Sequence, residues 1–163
     1  LDISDVNLGA LVKEAVSIGV TNAADTEVEV VADISKDLGT IEADETRIRQ
    51  VLFNLVSNAL RFTDAGGKVT ITADLMGDTA RLIVKDNGRG IPADEQATRF
   101  DSFTSSDQRG AGLGLSLVKH FVQLHGGNVG IKSEPGKGTE VVCWIPVDAQ
   151  PMNGSGEPTR MAA

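Results

Sequence analysis

The chain has one cysteine in 163 residues, no long apolar run, and fewer cations than anions. Each shortage excludes a class of protein. The lone Cys143 cannot form an intramolecular disulfide and has no Cys or His at metal-ligand spacing, so neither a disulfide framework nor a thiolate metal site is expected. It sits in the strand-like run Glu140-Val-Val-Cys-Trp-Ile-Pro146 and reads as a small buried hydrophobe. No stretch approaches the ~20 apolar residues of a membrane span, and the opening Leu1-Asp-Ile-Ser-Asp5 lacks the basic-then-apolar order of a signal peptide. A soluble segment is expected that does not itself contact membrane, even if its parent protein is anchored in one. Fifteen Lys and Arg against 23 Asp and Glu give a net charge of −8. That balance argues against a nucleic-acid partner, because such surfaces cluster cations against phosphate. No internal repeat is present. At ~150 residues folding hides about 68–70% of the unfolded surface, so a single core suffices without staples.

Glycine is in excess. The chain has 18, above the usual ~7%, and ten of them fall between Gly88 and Gly138. Around them the pattern alternates between helix and strand. Asn7 can cap a helix over residues 8–24, where Leu8, Leu11, Val12, Ala15, Val16 and Val20 recur at helical spacing. Strands are expected over 27–33 and 39–44, the second ending at the cap residue Asp44. The clearest element is a helix over 45–62, with Ile48, Val51, Leu52, Leu55, Val56, Ala59 and Phe62 on one stripe. Strands over 69–75 and 80–85 form a hairpin around Gly77. A glycine- and polar-rich stretch follows over 86–114, with a short helix-like segment at 93–103. A helix over 115–125 ends at Gly126-Gly127. Two last strands, 128–133 and 139–145, precede a tail from 148 that lacks periodicity and is expected to be flexible.

The 45–62 helix contains a conflict. With Val51 at zero and about 100° per residue, Asn58 lies near about −20°, Asn54 near about −60° and Arg61 near about −80°. Two amides and a guanidinium therefore share the edge of the buried stripe, where an unpaired polar group costs about 1–3 kcal/mol. Either they bond neighbouring backbone or water, or they face an anion or Mg2+.

Two glycine motifs sharpen the choice. Asp86-Asn-Gly-Arg-Gly-Ile-Pro92 follows a strand directly; its glycines permit a tight turn, and Asp86 offers a carboxylate able to accept from an exocyclic amine such as that of adenine. Gly110-Ala-Gly-Leu-Gly-Leu-Ser116 leads into a helix, where free N–H groups and the positive dipole end can cradle phosphate. It is neither a Walker A loop nor a dinucleotide fingerprint.

Taken in order, these motifs resemble the catalytic and ATP-binding domain of sensor histidine kinases, in the ATPase superfamily that also holds gyrase, Hsp90 and MutL. Asn54-Leu-Val-Ser-Asn-Ala-Leu-Arg-Phe-Thr63 is similar to the N box, Asp86 to Gly90 to the first glycine box, Phe100-Asp-Ser-Phe103 to the F box, Gly110 to Gly114 to the second glycine box, and Gly136-Lys-Gly-Thr139 to the third. The match covers residues 1–147. It implies an α/β two-layer sandwich of the Bergerat type, a mixed sheet with helices on one face, and a flexible ATP lid over about residues 100–112.

By this resemblance Asp86 receives the adenine amine, with Thr139 supporting it through a water. Asn54 helps bind Mg2+, Asn58 contacts phosphates or metal, and Arg61 is a basic residue near the phosphates. Phe62 lies near the base or ribose. Gly88, Gly90 and Ile91 belong beneath the base, while Gly110, Ala111, Gly112, Leu113, Gly114 and Leu115 wrap the triphosphate. The cofactors implied are ATP and Mg2+. The implied reaction is transfer of the γ-phosphate to a histidine on the same protein's, or its dimer partner's, helical dimerisation domain, with a response regulator as the downstream partner and the cytoplasm as location. That helical domain is absent from this sequence, and His120 and His125 read as structural residues.

The amide at Asn54 bears on the reaction. Hydrolases of the superfamily resemble one another in placing a Glu there to activate water, whereas an amide is no general base. A stand-alone ATPase of the gyrase or Hsp90 type is therefore disfavoured. Thr104-Ser-Ser-Asp107 follows the F-box-like motif where family members often carry a basic residue, and only six residues separate Phe103 from Gly110. Both departures support the alternative of a pseudokinase, a nucleotide-sensing or docking module without phosphotransfer.

Overall fold

The computed structural model describes residues 1–90 and 111–149, with the backbone alone at 111–113. The elements are β1 (Ile3–Asn7), α1 (Leu8–Ala23), β2 (Glu29–Ile34), β3 (Thr40–Asp44), α2 (Glu45–Phe62), β4 (Lys68–Met76), β5 (Thr79–Asp86), α3 (Ala111–Leu124), β6 (Asn128–Glu134) and β7 (Gly138–Pro146). Five strands form a mixed sheet in the order β2-β4-β5-β7-β6, while β1 and β3 make a separate antiparallel pair. Only β2–β4 runs parallel; the remaining neighbours in the large sheet are antiparallel.

Period-two alternation divides the sheet into two faces. Val69, Ile71 and Ala73 of β4, Ala80, Leu82 and Val84 of β5, and Val141, Cys143 and Ile145 of β7 are all buried. Helices cover that face: Leu8, Leu11, Val12 and Ala15 of α1, Ile48, Val51, Leu52 and Leu55 of α2, and Leu115, Val118 and Val122 of α3 complete one core. The helix α2 lies between α1 and α3 and touches both. The other face carries half-buried residues, among them an Arg81–Asp74 pair in which Nε and Nη2 meet the two carboxylate oxygens at 2.9 and 2.6 Å. This is the two-layer sandwich expected from the sequence. Cys143 is fully buried, and burial pushes its thiol up to about 12, as befits a residue that only packs. Among the described residues no helix is long and apolar enough to cross a membrane.

Three boundaries differ from the sequence reading. The strand β1 was not expected: only Ile3 and Val6 of its five residues are apolar, and only Val6 is buried. Pairing with β3, not an intrinsic pattern, makes it a strand. The strand β2 starts at Glu29 rather than 27 because Glu27 has φ of 58°, a left-handed turn conformation, and its carbonyl accepts from the Gly66 N–H. The helix α3 starts at Ala111 instead of 115, so Gly112 and Gly114 lie in its first turn and not in a loop before it. The expected helix-like segment at 93–103, most of the lid, and the tail from residue 150 lie outside the described residues.

The ends of α2 and α3 remote from the glycine motifs are tied together by His125, which is 2% exposed. Its Nδ1 sits 2.6 Å from the Phe121 carbonyl, and its Nε2 accepts from the Asp44 N–H at 3.0 Å. A carbonyl only accepts, so Nδ1 carries the proton and the ring is neutral. Asp44 in turn caps α2 through the Arg47 N–H and accepts from the Asp2 N–H. The ring has no acceptor capacity left if it is protonated.

Burial holds the His125 pKa below the ordinary 6.5, outweighing the Phe121 bond and the Asp44 charge that favour protonation. A histidine with a depressed folded pKa contributes stability that is present above 6.5 and lost as pH falls from there toward the folded value. Resistance to urea should therefore fall as the pH drops from about 7 to about 5. In His125→Gln this pH dependence should vanish, with stability at pH 7.5 reduced by about 1–3 kcal/mol. An unchanged slope in the variant would assign the effect elsewhere.

Candidate functional site

At its other end α2 carries the polar residues that its apolar stripe cannot accommodate. The amide nitrogens of Asn54 and Asn58 are both buried, and neither has a hydrogen-bond partner among the described residues. Bonding to backbone, one of the two readings open from the sequence, is not what these nitrogens do. The seam between α2 and α3 is close here: a Cβ at Gly114 would stand 3.0 Å from the Asn58 nitrogen. The start of α3, with its unpaired N–H groups and positive dipole end, thus lies beside Asn58.

Beneath the helices, the strands supply the acid. Asp86 ends β5 and pairs in register with Val69 of β4 and Thr139 of β7, so it faces the helix layer. It is 5% exposed. Burial holds its carboxyl above the usual carboxylate range, opposed by N–H groups of Gly88 and Thr139; the Gly88 bond measures 2.9 Å. Asp86, Asn58 and Thr139 line one cleft, walled by Leu55, Ala59, Val84, Leu115 and Val141 and bordered by Phe62. The Arg89 guanidinium stacks over the Phe62 ring at 5.6 Å.

The loop after Asp86 is fixed by contacts with its own chain. A Cβ at Gly88 would overlap the Phe62 carbonyl oxygen, and one at Gly138 would overlap the Asp86 carbonyl oxygen. Arg89 N–H donates to Phe62 O at 3.1 Å, and Gly136 N–H donates to Arg89 O at 2.7 Å. Gly90 has φ of 72° and abuts the Glu134 carbonyl. The close approach that these glycines permit is made by protein backbone, where the sequence had suggested a ligand. The result is a rigid floor that points Asp86 into the cleft.

The structure therefore gathers Asn58, Phe62, Asp86, Leu115 and Thr139 around one space. Asn54 and the exposed Arg61 stand on the same helix but do not line that cleft. Ala111, Gly112 and Leu113 form the first turn of α3 by backbone alone, and Ile91 and Gly110 lie outside the described residues. The walls Leu55, Ala59, Val84 and Val141 were read from sequence as core or not singled out; periodicity signals burial without telling which part of the inner face is left open. Chemically, the cleft offers a buried carboxylate that accepts, the Asn58 amide nitrogen that donates, and an apolar slot between them.

Known proteins share this fold. A family model described as histidine kinase-, DNA gyrase B-, and HSP90-like ATPase matches residues 43–149. The Sensor protein DivL of Caulobacter vibrioides is 42% identical over 151 residues, which is 93% of this chain and 20% of DivL. The nucleotide-free catalytic domain of histidine kinase ThkA superimposes with a TM-score of 0.82 at 30% identity, covering 91% of this chain and 97% of that domain. Full-length ShkA in complex with AMPPNP gives a TM-score of 0.82 at 35% identity, covering 93% of this chain and 32% of ShkA. The chain spans between 20% and 25% of the length of the first curated relatives it matches.

Because the Phe62 carbonyl occupies the space of a Gly88 side chain, Gly88→Ala should destabilise the fold by more than about 2 kcal/mol in chemical denaturation. Gly136→Ala, whose Cβ meets nothing within 4 Å but whose φ is 80°, should cost only about 1 kcal/mol. Equal losses at the two positions would contradict the packing argument.

Proposed function

The chain belongs to the histidine kinase-, DNA gyrase B-, and HSP90-like ATPase family, and on that premise we propose that it is the ATP-binding catalytic domain of a two-component sensor histidine kinase. The observation that carries this reading is the pair of buried amide nitrogens without partners beside a buried carboxylate. Groups left in that state require a ligand that both donates and accepts. Asp86 accepts from the exocyclic amine of adenine, and the apolar walls enclose the ring with Phe62 at its border. Asn58 and the N–H groups at the start of α3 face the phosphates; Gly88, Gly90 and Ile91 belong to the floor beneath the base, the glycines at 110, 112 and 114 to the phosphate cradle, and Arg61 adds charge. Residues 1–147 make this nucleotide-binding unit.

Mg2+ fits the same residues. The Asn54 amide has a buried nitrogen without a partner, and its carbonyl oxygen is the kind of hard donor that a partly hydrated Mg2+ takes alongside phosphate oxygens. When bound, the cation neutralises charge on the phosphates. The protein's own share is positioning: Asp86 holds the base, Asn58 orients the phosphates, and the amide at Asn54 leaves water unactivated because it cannot take a proton. The acceptor is a histidine on a helical dimerisation domain of the parent protein or its dimer partner, a response regulator takes the phosphate onward, and the segment works in the cytoplasm.

Thr104, standing where the family often has a basic residue, favours a second reading in which nucleotide is bound but phosphate is not passed on.

Calorimetric titration with Mg-ATP should give one site per chain, lost in Asp86→Asn while circular dichroism stays unchanged. Undiminished affinity in that variant would refute the adenine role of Asp86. Phosphate release by the isolated chain should be negligible; steady turnover that Asn54→Ala abolishes would make the domain a hydrolase.

A further inference from the structure

Helix α2 ends at Phe62, and the chain leaves it extended at Thr63, with φ of −105° and ψ of 123°. The last carbonyls of a helix find no partner within it. Here they are met by groups that follow the helix. Thr63 Oγ1 donates to Ala59 O at 2.6 Å, and Arg89, distant in sequence, supplies two further donors. Its N–H reaches Phe62 O at 3.1 Å and its Nη2 reaches Arg61 O at 3.4 Å.

The same guanidinium lies over the Phe62 ring, 5.6 Å from the centroid, within the distance of about 6 Å at which a ring face attracts a cation. A planar guanidinium can stack with its face while its edge donates, which an ammonium cannot do. The backbone that launches this side chain is itself held: the Arg89 carbonyl accepts from Gly136 N–H, and Gly88 is pressed against Phe62 O. Arg89 is exposed and does not line the cleft, whereas Phe62 borders it beside Asp86. The stack therefore joins the rigid floor of the cleft to the ring at its border.

Resting on the adenine-binding reading above, we infer that Arg89 is a positioning residue for the nucleotide base: it holds the Phe62 ring in place at the border of the cleft without itself touching the nucleotide. A ring that has to be fixed as the base arrives costs affinity, and a ring fixed beforehand does not. Arg89 also closes the end of α2, but that role is separable. The closing bonds go to backbone carbonyls, while the stack goes to the side chain.

A double-mutant cycle tells the two roles apart. Affinities are read from the rise in melting temperature across millimolar Mg-nucleotide, which reports weak binding as well as tight. Arg89→Ala should weaken Mg-ATP and Mg-ADP by the same factor, about two- to fivefold, the worth of an exposed cation–π contact. Phe62→Leu removes the ring and leaves the backbone carbonyls, so in that background Arg89→Ala should leave nucleotide affinity unchanged. An unaltered affinity in Arg89→Ala alone overturns the inference. So does a loss that persists undiminished beside Phe62→Leu, which would assign the effect to the helix end, or a loss larger for Mg-ATP than for Mg-ADP, which would make Arg89 a phosphate contact. Failure of the underlying reading is seen separately, as retention of ATP binding in Asp86→Asn.

Discussion

A helix packed on a sheet must bury one stripe, and whatever polar group falls on that stripe must find a partner or cost the fold free energy. The rest of this structure depends on how α2 handles that constraint. It places Asn54 and Asn58 at the margin of the buried face with their amide nitrogens unpaired, at about 1–3 kcal/mol each. The opposing sheet does not neutralise them; it adds a buried carboxylate at Asp86. Such a cluster makes sense only if the folded state is completed by something that is not part of the chain.

The surrounding architecture holds this incomplete cluster rigidly. Below, Asp86 is fixed by a loop whose glycines are pressed against Phe62, Glu134 and Asp86 backbone. Above, α3 approaches α2 closely enough that a Cβ at residue 114 would press on the Asn58 amide at 3.0 Å. At the far ends of the same two helices the neutral His125 joins them to the cap of α2. Among the described residues, the two buried amide nitrogens without partners thus lie apart from the bonded His125 at the far end of the helix layer. That division lets a stable core support a site that is itself destabilising.

Much of this was legible in the residues. The helix α2 was clear because a cap, a helical period kept over 18 residues and a following glycine pair agree, and the misplaced amides stood out against that regularity. The inward positions of β4, β5 and β7 followed from alternation. What could not be read was anything set by another part of the chain. β1 is a strand only because β3 lies beside it, and Glu27 leaves the β region for a turn closed by Gly66. The glycines at 88 and 90 looked like openings for a ligand, yet their space is taken by carbonyls distant in sequence. Composition, by contrast, retained its force: an acidic chain can still hold a small polyanion through N–H groups and a cation in place of a basic surface.

The most direct test of this account is the stability of Asn58→Leu without nucleotide. Leucine at that position would extend the apolar walls of Leu55, Ala59 and Leu115 and remove a buried donor that has no partner. Thermal unfolding in the absence of nucleotide should then shift upward by a few degrees, corresponding to about 1 kcal/mol, while Mg-ATP no longer binds or stabilises the variant. A variant that is less stable than the parent chain yet still binds Mg-ATP would contradict the claim that this amide is held in reserve for a ligand.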